Sequence, residues 1–524
     1  MKLSQLLKSV ESIRINSSKN TGAFCVPEAD PDISSIHCSS RDVRPGGLFV
    51  AVRGFKADGH DFIDDAIRRG AVAVVVENPV ETGCISIRVE NSRKALSALS
   101  AEYYENPSRR MCVIGITGTN GKTTTSYLIE RILAGAGCNV GVIGTVNYRF
   151  NGQVFDNPMT TPESLDLQSI LSDMCRAGVT HVVVEVSSHA IDLHRIDHCW
   201  MDIGVFTNLS HDHHDYHGDM DRYWACKKRL FTDRLTGGPK KDRARAVVNC
   251  NDPRGRELAG ILTVSHLTSG HCVDNDIHPV SVRSGLNGMT GAIVTPKGRF
   301  DFQSPLVGNH NLENIMCATA AGVALDIPVE KIKAGIETTT RVPGRLEPVP
   351  DASGRFVYVD YAHTPDALEN VLRSLRPLTD GRMICVFGCG GDRDVSKRPE
   401  MGEIAGTLCD LAVVTSDNPR TENPDTIIEQ VLEGVRRTSP RQFNASDIPG
   451  HMDKKGCLVE PDRRRAIELA IRAARPGDTV LIAGKGHETY QIIGNTTIDF
   501  DDVEEAHRIL MHHSASIDQP GDCG

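Results

Sequence analysis

Residues 115–125 have the composition of a loop that binds the phosphates of a nucleotide. A short apolar run precedes the loop and a helix-like run follows it, so the expected order is strand, loop, helix. Glycines let the backbone turn tightly enough for N–H groups to point at phosphate oxygens, while Lys122 adds a mobile positive charge and Thr123 a hydroxyl for Mg²⁺. The strict motif would place its first glycine where Ile116 stands, so the match is imperfect. We predict an ATP site; the alternative is a glycine-rich turn with a chance Lys-Thr pair.

Two polar segments follow apolar strands further along the chain. Glu185 lies at the end of one strand, and residues 208–218 after the next are rich in histidine. Ligands of open α/β sheets bind at the carboxyl ends of strands, so Glu185 and one histidine are candidate Mg²⁺ ligands beside the phosphates. A rival hypothesis is a binuclear zinc hydrolase that uses His211, His213 and Asp215. Its signature requires a further histidine where Tyr216 stands, and it leaves the phosphate loop unexplained.

The last third of the chain has four polar segments, two of them rich in glycine, each after an apolar strand. These segments are 360–365, 388–394, 417–420 and 484–488. Arg393 and Arg420 suit forked recognition of a carboxylate, and the acidic residues Asp417 and Glu488 suit an ammonium group. A ligand with both groups has the profile of an amino acid. An ordinary tight turn explains any one segment, but four on one sheet edge favour a binding site.

Composition limits the class of protein. The chain has 524 residues, 40% hydrophobic and 24% charged, which predicts a globular protein of two to four domains. The net charge of −10 argues against general binding to nucleic acid or to acidic membranes. The 16 cysteines form neither a disulfide framework nor a zinc ribbon, and no run approaches the roughly 20 apolar residues of a membrane span. We therefore expect a cytoplasmic protein without membrane insertion.

Strands alternate with helices along most of the chain, which predicts an α/β fold of three domains. The central domain is expected to be a P-loop domain with a doubly wound, mostly parallel sheet, and the C-terminal domain a Rossmann-like α/β domain. We expect residues 265–302 to form an antiparallel flap and residues 436–456 a surface insertion. The predicted boundaries are 1–108 for the N-terminal domain, 109–342 for the central domain, 343–511 for the C-terminal domain and 512–524 for a disordered tail.

Taken together, these segments resemble the Mur ligase family, the ATP-dependent amino-acid ligases of peptidoglycan precursor synthesis. The phosphate loop matches the family's own variant, Thr-Gly-Thr-Asn-Gly-Lys-Thr at 117–123, which accounts for the departure at Ile116. The resemblance covers nearly the whole chain. It rests on residues 117–123, 185–189, 207–213, 308–314, 344–345, 360–363 and 484–488.

The resemblance implies a role for particular residues. ATP would be bound by Gly118, Thr119, Asn120, Gly121, Lys122, Thr123, Thr124, Asn314, Arg345 and Asp360. A UDP-sugar dipeptide would be bound by Ser40, Lys56, Ala57, Thr160, Thr161, Ser187 and Arg195. The incoming amino acid would be bound by Arg393, Asp417, Asn418, Pro419, Arg420, Gly484 and Glu488. The metal set would be Thr123, Glu185, His213 and Lys227, with Lys122, His213 and Lys227 as the catalytic residues. Lys227 matches the lysine that this family carbamylates.

The implied reaction is addition of meso-diaminopimelate to UDP-MurNAc-L-Ala-D-Glu, with ATP as co-substrate and Mg²⁺ as cofactor. ATP would phosphorylate the D-Glu γ-carboxylate, and the amine would attack the resulting acyl phosphate. We expect a monomer with no nucleic-acid partner. Three alternatives are left open: addition of L-lysine, a P-loop kinase or ATP-driven switch, and the zinc hydrolase. L-lysine lacks the distal carboxylate that Arg420 suits.

Overall fold

The computed structural model describes residues 1–10, 14–17, 20–22, 30–55, 57–210, 214–439, 441–448 and 454–517. For residues 14–17, 20–22, 214–215 and 513–517 the description covers the backbone alone. The chain folds as successive α/β units, each built on its own main sheet. The α/β class and the mostly parallel sheets match the prediction from sequence.

The first unit is a six-stranded sheet with helices beside it. Its elements are α1 (Leu3–Leu7), β1 (Arg14–Ser17), β2 (Asn20–Gly22), β3 (Ser35–His37), β4 (Gly47–Val50), α2 (Ile63–Arg68), β5 (Ala71–Val76), β6 (Ile85–Arg88) and α3 (Ser92–Tyr103). The strand order is β2-β1-β6-β5-β4-β3, and the strands from β3 to β6 are parallel. β5 contains only alanine and valine and is largely buried, as expected for a parallel strand covered on both faces.

The second unit carries the phosphate loop on an eight-stranded sheet. Its first elements are β7 (Cys112–Thr117), α4 (Lys122–Gly135), β8 (Val140–Ile143), β9 (Tyr148–Phe150), β10 (Gln153–Phe155), α5 (Ser164–Arg176), β11 (His181–Glu185), α6 (Ser188–Asp192) and β12 (Ile203–Phe206). They are followed by α7 (His214–His217), α8 (Met220–Arg229), β13 (Arg245–Asn249), α9 (Pro253–Ile261) and β14 (Ser265–Ser269). The order is β10-β9-β8-β11-β7-β12-β13-β14, and the six strands from β8 to β14 in this order are parallel.

The side chains of β7 explain why this sheet is buried on both faces. Val113 packs in one apolar cluster with the helices α5 and α8, whereas Ile114 packs in another with α4, which begins directly after the phosphate loop. Successive side chains of a strand point to opposite faces, so this apolar run supplies both layers of the core. The carboxyl end of β7 is thereby held rigidly, and the loop that follows it is positioned by the core.

The antiparallel flap expected over residues 265–302 is only partly correct. β15 (His278–Gly285), β16 (Gly288–Thr295) and β17 (Gly298–Ser304) form the antiparallel sheet. The first part of the stretch is instead β14, which pairs in parallel with β13 at the edge of the main sheet. Its polar sequence reflects that edge position. The unit ends with α10 (Asn309–Ala324) and α11 (Val329–Thr338).

The third unit is a seven-stranded sheet in the order β18-β19-β24-β20-β21-β23-β22. All neighbouring strands are parallel except β18 and β19. The elements are β18 (Glu347–Val349), β19 (Phe356–Asp360), α12 (Pro365–Leu375), β20 (Met383–Phe387), α13 (Lys397–Leu408), β21 (Leu411–Val414), α14 (Pro424–Thr438), β22 (Gln442–Phe443), β23 (Gly456–Val459), α15 (Arg463–Ala473), β24 (Thr479–Ala483), β25 (Tyr490–Ile493), β26 (Thr496–Asp499) and α16 (Asp502–Ile517).

Two predictions for this unit need correction. The stretch 436–456 is not a surface insertion, because α14 continues into it, β22 lies within it and β23 begins at its end. Phe443 and Ile448 are buried in the core of the unit. The strands at this edge of the sheet are short and have few apolar residues, so the sequence did not indicate them. The helix α16 extends to Ile517, beyond the predicted start of the tail at 512, and residues 518–524 lie outside the described residues.

Every helix in the described ranges falls short of the length or the apolar character that a bilayer crossing requires. The cysteines that the structure describes are all free thiols, and many are buried. Burial raises the pKa of several of them, for example that of Cys389 to about 12, which keeps the thiol protonated and unreactive at neutral pH.

Candidate functional site

The phosphate loop connects the end of β7 to the start of α4. Its Thr119 N–H donates to Asn208 O and its Asn120 N–H to Asn208 Oδ1, each at 2.9 Å, so the segment after β12 fixes the loop. The Lys122 ammonium folds back and donates to Gly118 O and Thr119 O at 2.9 Å. The first-turn N–H groups of α4, which a helix cannot use itself, are the donors available to a phosphate.

Two glycines of this loop are required by geometry. Gly118 has a φ of 155° and Gly121 a φ of 84°, both in the region that side chains rarely adopt. A Cβ at Gly118 would collide with Thr207 Oγ1, and one at Gly121 with Asn314 Oδ1. The sequence pattern therefore reflects a real packing constraint, in which the loop is pressed between β12 and α10.

Glu185 lies beside the loop at the end of β11, and it is 1% exposed. Its carboxylate accepts hydrogen bonds from Thr123 Oγ1 at 3.0 Å, Thr145 Oγ1 at 2.8 Å and Thr145 N–H at 3.2 Å. Since β7 and β11 are parallel neighbours, their ends bring Thr123 and Glu185 together. A hydroxyl and a carboxylate at the phosphate loop are the oxygen ligands that Mg²⁺ takes alongside phosphate oxygens. These two residues fit the predicted metal; within the described residues no set of three or more acidic, histidine or cysteine side chains forms a metal cage.

Lys227 lies under the same loop, although its sequence reads as a basic surface. The side chain is 1% exposed, and Nζ donates to Gly118 O at 2.9 Å and lies 4.7 Å from the centre of the Tyr223 ring. The Tyr223 hydroxyl lies 3.2 Å from Thr119 Oγ1. The helix α8 thus places an amine directly behind the phosphate loop. Thr124 is buried in the first turn of α4.

Arg345 links the third unit to the phosphate loop. Its Nη2 donates to Thr123 Oγ1 at 3.3 Å, and its guanidinium lies 5.0 Å from the centre of the Tyr361 ring. Arg345 Nε is buried without a hydrogen-bond partner in the part of the chain that the structure describes. Burial, with help from Arg345, lowers the pKa of the neighbouring His487 to about 4, so this imidazole is neutral at pH 7. The guanidinium has donor capacity for a further anionic group.

Asn314 and Asp360 occupy different positions relative to the loop. Asn314 is 4% exposed in α10 and lies against Gly121 of the phosphate loop, and its role at the nucleotide is a prediction. Asp360 lies at the end of β19, where its carboxylate accepts the N–H groups of Leu346 at 2.7 Å and Ala362 at 2.9 Å. Burial raises the pKa of Asp360. In this structure Asp360 holds the turn that carries Arg345, so its role at the nucleotide stays a prediction.

Asp366 contacts the phosphate loop, and the sequence did not predict this role for it. Its Oδ2 accepts from Ser210 Oγ at 2.7 Å and from Asn120 Nδ2 at 3.3 Å, which joins the start of α12 to the phosphate loop. Its position directly after the segment 360–365 was the available signal. The ends of β19 and β7 are therefore linked by a carboxylate as well as by Arg345.

The residues expected to hold the UDP-sugar dipeptide lie in two places. Ser40 and Ala57 line a cavity of about 330 Å³ in the first unit, together with apolar residues and Glu163 of the second unit. Lys56 lies outside the described residues. Glu163 lies 3.1 Å from Arg93 and 3.5 Å from Arg195, so charges from both units meet at the mouth of this cavity.

The other predicted dipeptide residues surround the backbone of Glu185. Thr161 Oγ1 donates to Glu185 O at 2.7 Å and accepts from the Ser187 N–H at 3.1 Å. Arg195 Nη1 donates to Thr161 O at 3.1 Å, and Thr160 Oγ1 lies 3.1 Å from Thr145 Oγ1. The structure therefore brings Thr160, Thr161, Ser187 and Arg195 together next to the candidate metal ligand.

The four segments of the third unit do meet at one sheet edge, because β19, β24, β20 and β21 are consecutive parallel strands. Asp417 and Asn418 are 8% and 2% exposed. A ligand ammonium is predicted as the partner of these acids, and the structure adds a second partner from the chain itself, the buried Lys485. Its Nζ is 3.1 Å from Asn418 Oδ1, 3.4 Å from Glu488 Oε2 and 3.6 Å from Asp417 Oδ1.

Charge is not fully compensated in this cluster. Burial raises the pKa of Glu488, the nearby Asp417 adds to the shift, and Lys485 opposes it. Asp417 Oδ1 is buried without a hydrogen-bond partner among the described residues. Gly484, with a φ of 116°, leaves the space in front of Asp417 open, since a Cβ there would lie 3.9 Å from Asp417 Cγ. One acceptor therefore remains for a donor from a ligand.

Arg393 and Arg420 approach the same glycine-rich turn. A Cβ at Gly390 would lie 2.9 Å from Arg420 Nη1 and 3.8 Å from Arg393 Cγ. Arg420 Nη1 donates to Gly391 O at 2.8 Å, while Arg393 is exposed. A side chain at position 391 would collide with Pro419 O, so Pro419 acts here through its backbone.

The zinc-hydrolase alternative falls largely on residues that the structure does not describe. His211 and His213 lie outside the described residues, and Asp215 is described by its backbone alone. Tyr216, in the position of the missing ligand, donates to Asp192 Oδ2 at 2.8 Å and lies against the His189 ring. This residue packs as part of an aromatic cluster.

Comparison with known proteins gives matches over most of the chain. Three family models match: "Mur ligase family, catalytic domain" over residues 32–104, "Mur ligase middle domain" over 116–322 and "Mur ligase, glutamate ligase domain" over 344–486. A relative from Geobacter metallireducens is 49% identical over 493 residues, 94% of this chain and 96% of its own length. One from Bacillus licheniformis is 42% identical over 98% of this chain and 99% of its own.

Both relatives are named UDP-N-acetylmuramoyl-L-alanyl-D-glutamate--2,6-diaminopimelate ligase. A solved structure of an enzyme of that name is 31% identical, covers 94% of this chain and 98% of its own, and superposes with a TM-score of 0.67.

Proposed function

Because the chain belongs to the Mur ligase family, we propose that it is an ATP-dependent ligase that joins meso-diaminopimelate to the D-Glu γ-carboxylate of UDP-MurNAc-L-Ala-D-Glu. The observation that carries the proposal is the contact of the third unit with the phosphate loop, where Arg345 Nη2 lies 3.3 Å from Thr123 Oγ1. The third unit, which carries the candidate amino-acid site, therefore contacts the second unit, whose phosphate loop would activate the carboxylate.

The chemistry begins with a carboxylate that cannot be attacked directly, because its leaving group would be oxide. Transfer of the ATP γ-phosphoryl group to the carboxylate gives an acyl phosphate, whose phosphate is a good leaving group. Phosphoryl transfer depends mainly on positioning and on neutralising charge. Lys122, the first-turn N–H groups of α4 and Arg345 are the groups of this chain that would do so.

Mg²⁺ would be held by Thr123 and Glu185, with His213 completing the set as predicted from the family. When bound, it would neutralise the phosphate charge. The buried Lys227 is an amine behind the loop, and we infer that it is carbamylated, which would turn a cation into a carboxylate there. Intact-mass measurement in bicarbonate and after acid treatment tests this modification by the gain and loss of one CO₂.

The amino-acid end rests on the cluster at the strand ends of the third unit. The ligand ammonium would meet Asp417 Oδ1, which lacks a hydrogen bond among the described residues, and Glu488. Arg420, and Arg393 beside it, would take the distal carboxylate that diaminopimelate has and lysine lacks. Amide formation follows when the free amine of the amino acid attacks the acyl phosphate and phosphate leaves. The cytoplasm and a monomeric state remain our predictions for the whole protein.

The test is phosphate release with each substrate omitted in turn. We expect release only when ATP, UDP-MurNAc-dipeptide and diaminopimelate are all present, with one amide formed per phosphate. Release without any amino acid would indicate a kinase or an ATP-driven switch instead. Hydrolysis that ignores ATP and stops with a zinc chelator would indicate the hydrolase, and equal turnover with L-lysine would refute the specificity.

A further inference from the structure

The hairpin formed by β25 and β26 lies next to the 417–420 segment, although it buries little apolar surface there. Ile493 and Ile498 are 48% and 41% exposed, and every residue of β26 is exposed. Gln491 is the one buried side chain of the two strands, at 6% exposure. An isolated two-stranded hairpin is marginally stable in water. Its attachment must therefore come from the polar contacts it makes.

These contacts go to the amino-acid segment. Gln491 Nε2 donates to the buried Asp417 O at 2.7 Å. The Ile492 N–H donates to Asn418 Oδ1 at 3.0 Å, and Ile492 O accepts from the Arg420 N–H at 3.1 Å. The Gly494 N–H donates to Arg420 O at 2.7 Å. The hairpin thus hydrogen-bonds three of the four residues of the segment 417–420, namely Asp417, Asn418 and Arg420.

Arg420 needs such support because its backbone is strained. Its φ is 51°, in the left-handed region that disfavours residues with a Cβ. Both its N–H and its carbonyl are bonded to the hairpin, which keeps this conformation occupied. In a relaxed conformation the guanidinium would leave the turn at Gly390 and Gly391. Strain of this kind persists only where the surroundings over-determine it.

We propose that Gln491 is a positioning residue for amino-acid selectivity, which holds the 417–420 segment so that Arg420 meets the distal carboxylate of the substrate. This inference rests on the proposed function and deepens it. Gln491 acts through Asp417 O and does not itself touch the ligand. Its loss leaves a buried carbonyl without a donor, and the segment then gains access to conformations in which Arg420 is turned away.

The test compares Gln491→Met, which keeps the length of the side chain and removes the donor, with Ile498→Thr, a change on the exposed part of the same hairpin. We expect Gln491→Met to raise the KM for diaminopimelate about tenfold, the cost of one buried hydrogen bond. The KM for ATP and kcat should change less than twofold. Selectivity for diaminopimelate over L-lysine should fall by a similar factor, because lysine does not use Arg420. Ile498→Thr should match the wild type.

Gln491→Glu supplies a second variant with a built-in control. Its carboxylate would face a carbonyl oxygen, so at pH 8 its KM for diaminopimelate should equal or exceed that of Gln491→Met. Its KM should approach the wild-type value as the pH is lowered to 6, where the introduced carboxyl can carry a proton and donate. This return would assign the change in KM to the hydrogen bond with Asp417 O and not to the size or shape of the side chain.

The outcomes separate the two hypotheses. If the wild type releases no diaminopimelate-dependent phosphate, the proposed function fails and this inference with it. If the wild type is active but Gln491→Met and Gln491→Glu leave the KM for diaminopimelate and the selectivity unchanged, the inference alone is wrong. Equal rises in the KM for ATP and for diaminopimelate, or the same effect from Ile498→Thr, would also overturn it.

Discussion

Replacing Gly121 with alanine should disable the phosphate loop through one identifiable collision. Gly121 has a φ of 84°, and its added Cβ would overlap Oδ1 of Asn314, which is 4% exposed. Asn314 cannot move freely, because its Nδ2 donates to Asn311 Oδ1 at 3.0 Å and its Oδ1 lies 3.4 Å from Thr125 Oγ1. Either the loop or the helix α10 must shift.

The size of the effect follows from these contacts. A left-handed backbone with a Cβ costs about 1–2 kcal/mol. Displacing Asn314 removes two hydrogen bonds of roughly 1 kcal/mol each. The sum of about 3–4 kcal/mol is a large share of a typical domain's stability, yet it does not by itself unfold the unit. For activity, a shift of about 1 Å at the phosphates costs on the order of a hundredfold in rate.

Gly137 provides a matched control for the backbone. Its φ of 86° is nearly the same, but a Cβ there would meet nothing within 4 Å. Gly137→Ala should therefore lose only the backbone penalty of about 1–2 kcal/mol and keep full activity. Urea unfolding of both variants, with steady-state release of phosphate at varied ATP, measures the two quantities side by side.

Either of two results would show that a Cβ at Gly121 does not displace Asn314. One is a Gly121→Ala enzyme with the kcat and the KM for ATP of the wild type. The other is an unfolding free energy for Gly121→Ala that equals that of Gly137→Ala, since the difference of about 2 kcal/mol is assigned to Asn314 alone.

Three further predictions follow from buried or bridging groups. Burial lowers the pKa of His310 from 6.5 to about 4. The stability that the neutral imidazole contributes is therefore fully present above pH 6.5 and is lost as the pH falls toward 4. Between pH 7.5 and pH 5, the unfolding free energy of His310→Gln should fall by about 2 kcal/mol less than that of the wild type. Urea unfolding at both pH values measures this, and an equal fall in the two proteins would contradict it. Asp366→Ala should lower kcat about tenfold with unfolding nearly unchanged, since it removes the charged acceptor of Ser210 at the phosphate loop; an unaltered kcat would dismiss the link. Arg463→Met leaves Asp502 buried without its ion pair and should cost about 3–5 kcal/mol in urea unfolding, so a loss below about 1 kcal/mol would contradict the assignment.

Local patterns were sufficient for the parts of the fold that one segment encodes. The phosphate loop, the strand before it and the helix after it were predictable because glycine conformation and apolar periodicity act over neighbouring residues. The same holds for the four polar segments after β19, β20, β21 and β24. Parallel strands place their carboxyl ends together, so their meeting at one edge also followed from the sequence.

Short elements were harder to predict. β22 has two residues, Gln442 and Phe443, and its one buried side chain leaves no period to detect. β14 was assigned to the flap because an edge strand keeps polar residues. Their pairing depends on partners that lie far away or follow a loop, which a local pattern does not contain.

The sequence by itself determined the family of this protein, from a phosphate loop around Lys122, a carboxylate at Glu185 and a predicted amino-acid site at Asp417, in an order typical of Mur ligases. Only the tertiary structure decided which charges are already paired. Lys485 reads as a glycine-flanked lysine, yet it lies buried among three acidic or amide side chains, and Gln491 reads as one polar residue of an exposed hairpin. Burial and long-range hydrogen bonds set such roles, and both arise when segments distant in sequence pack against each other.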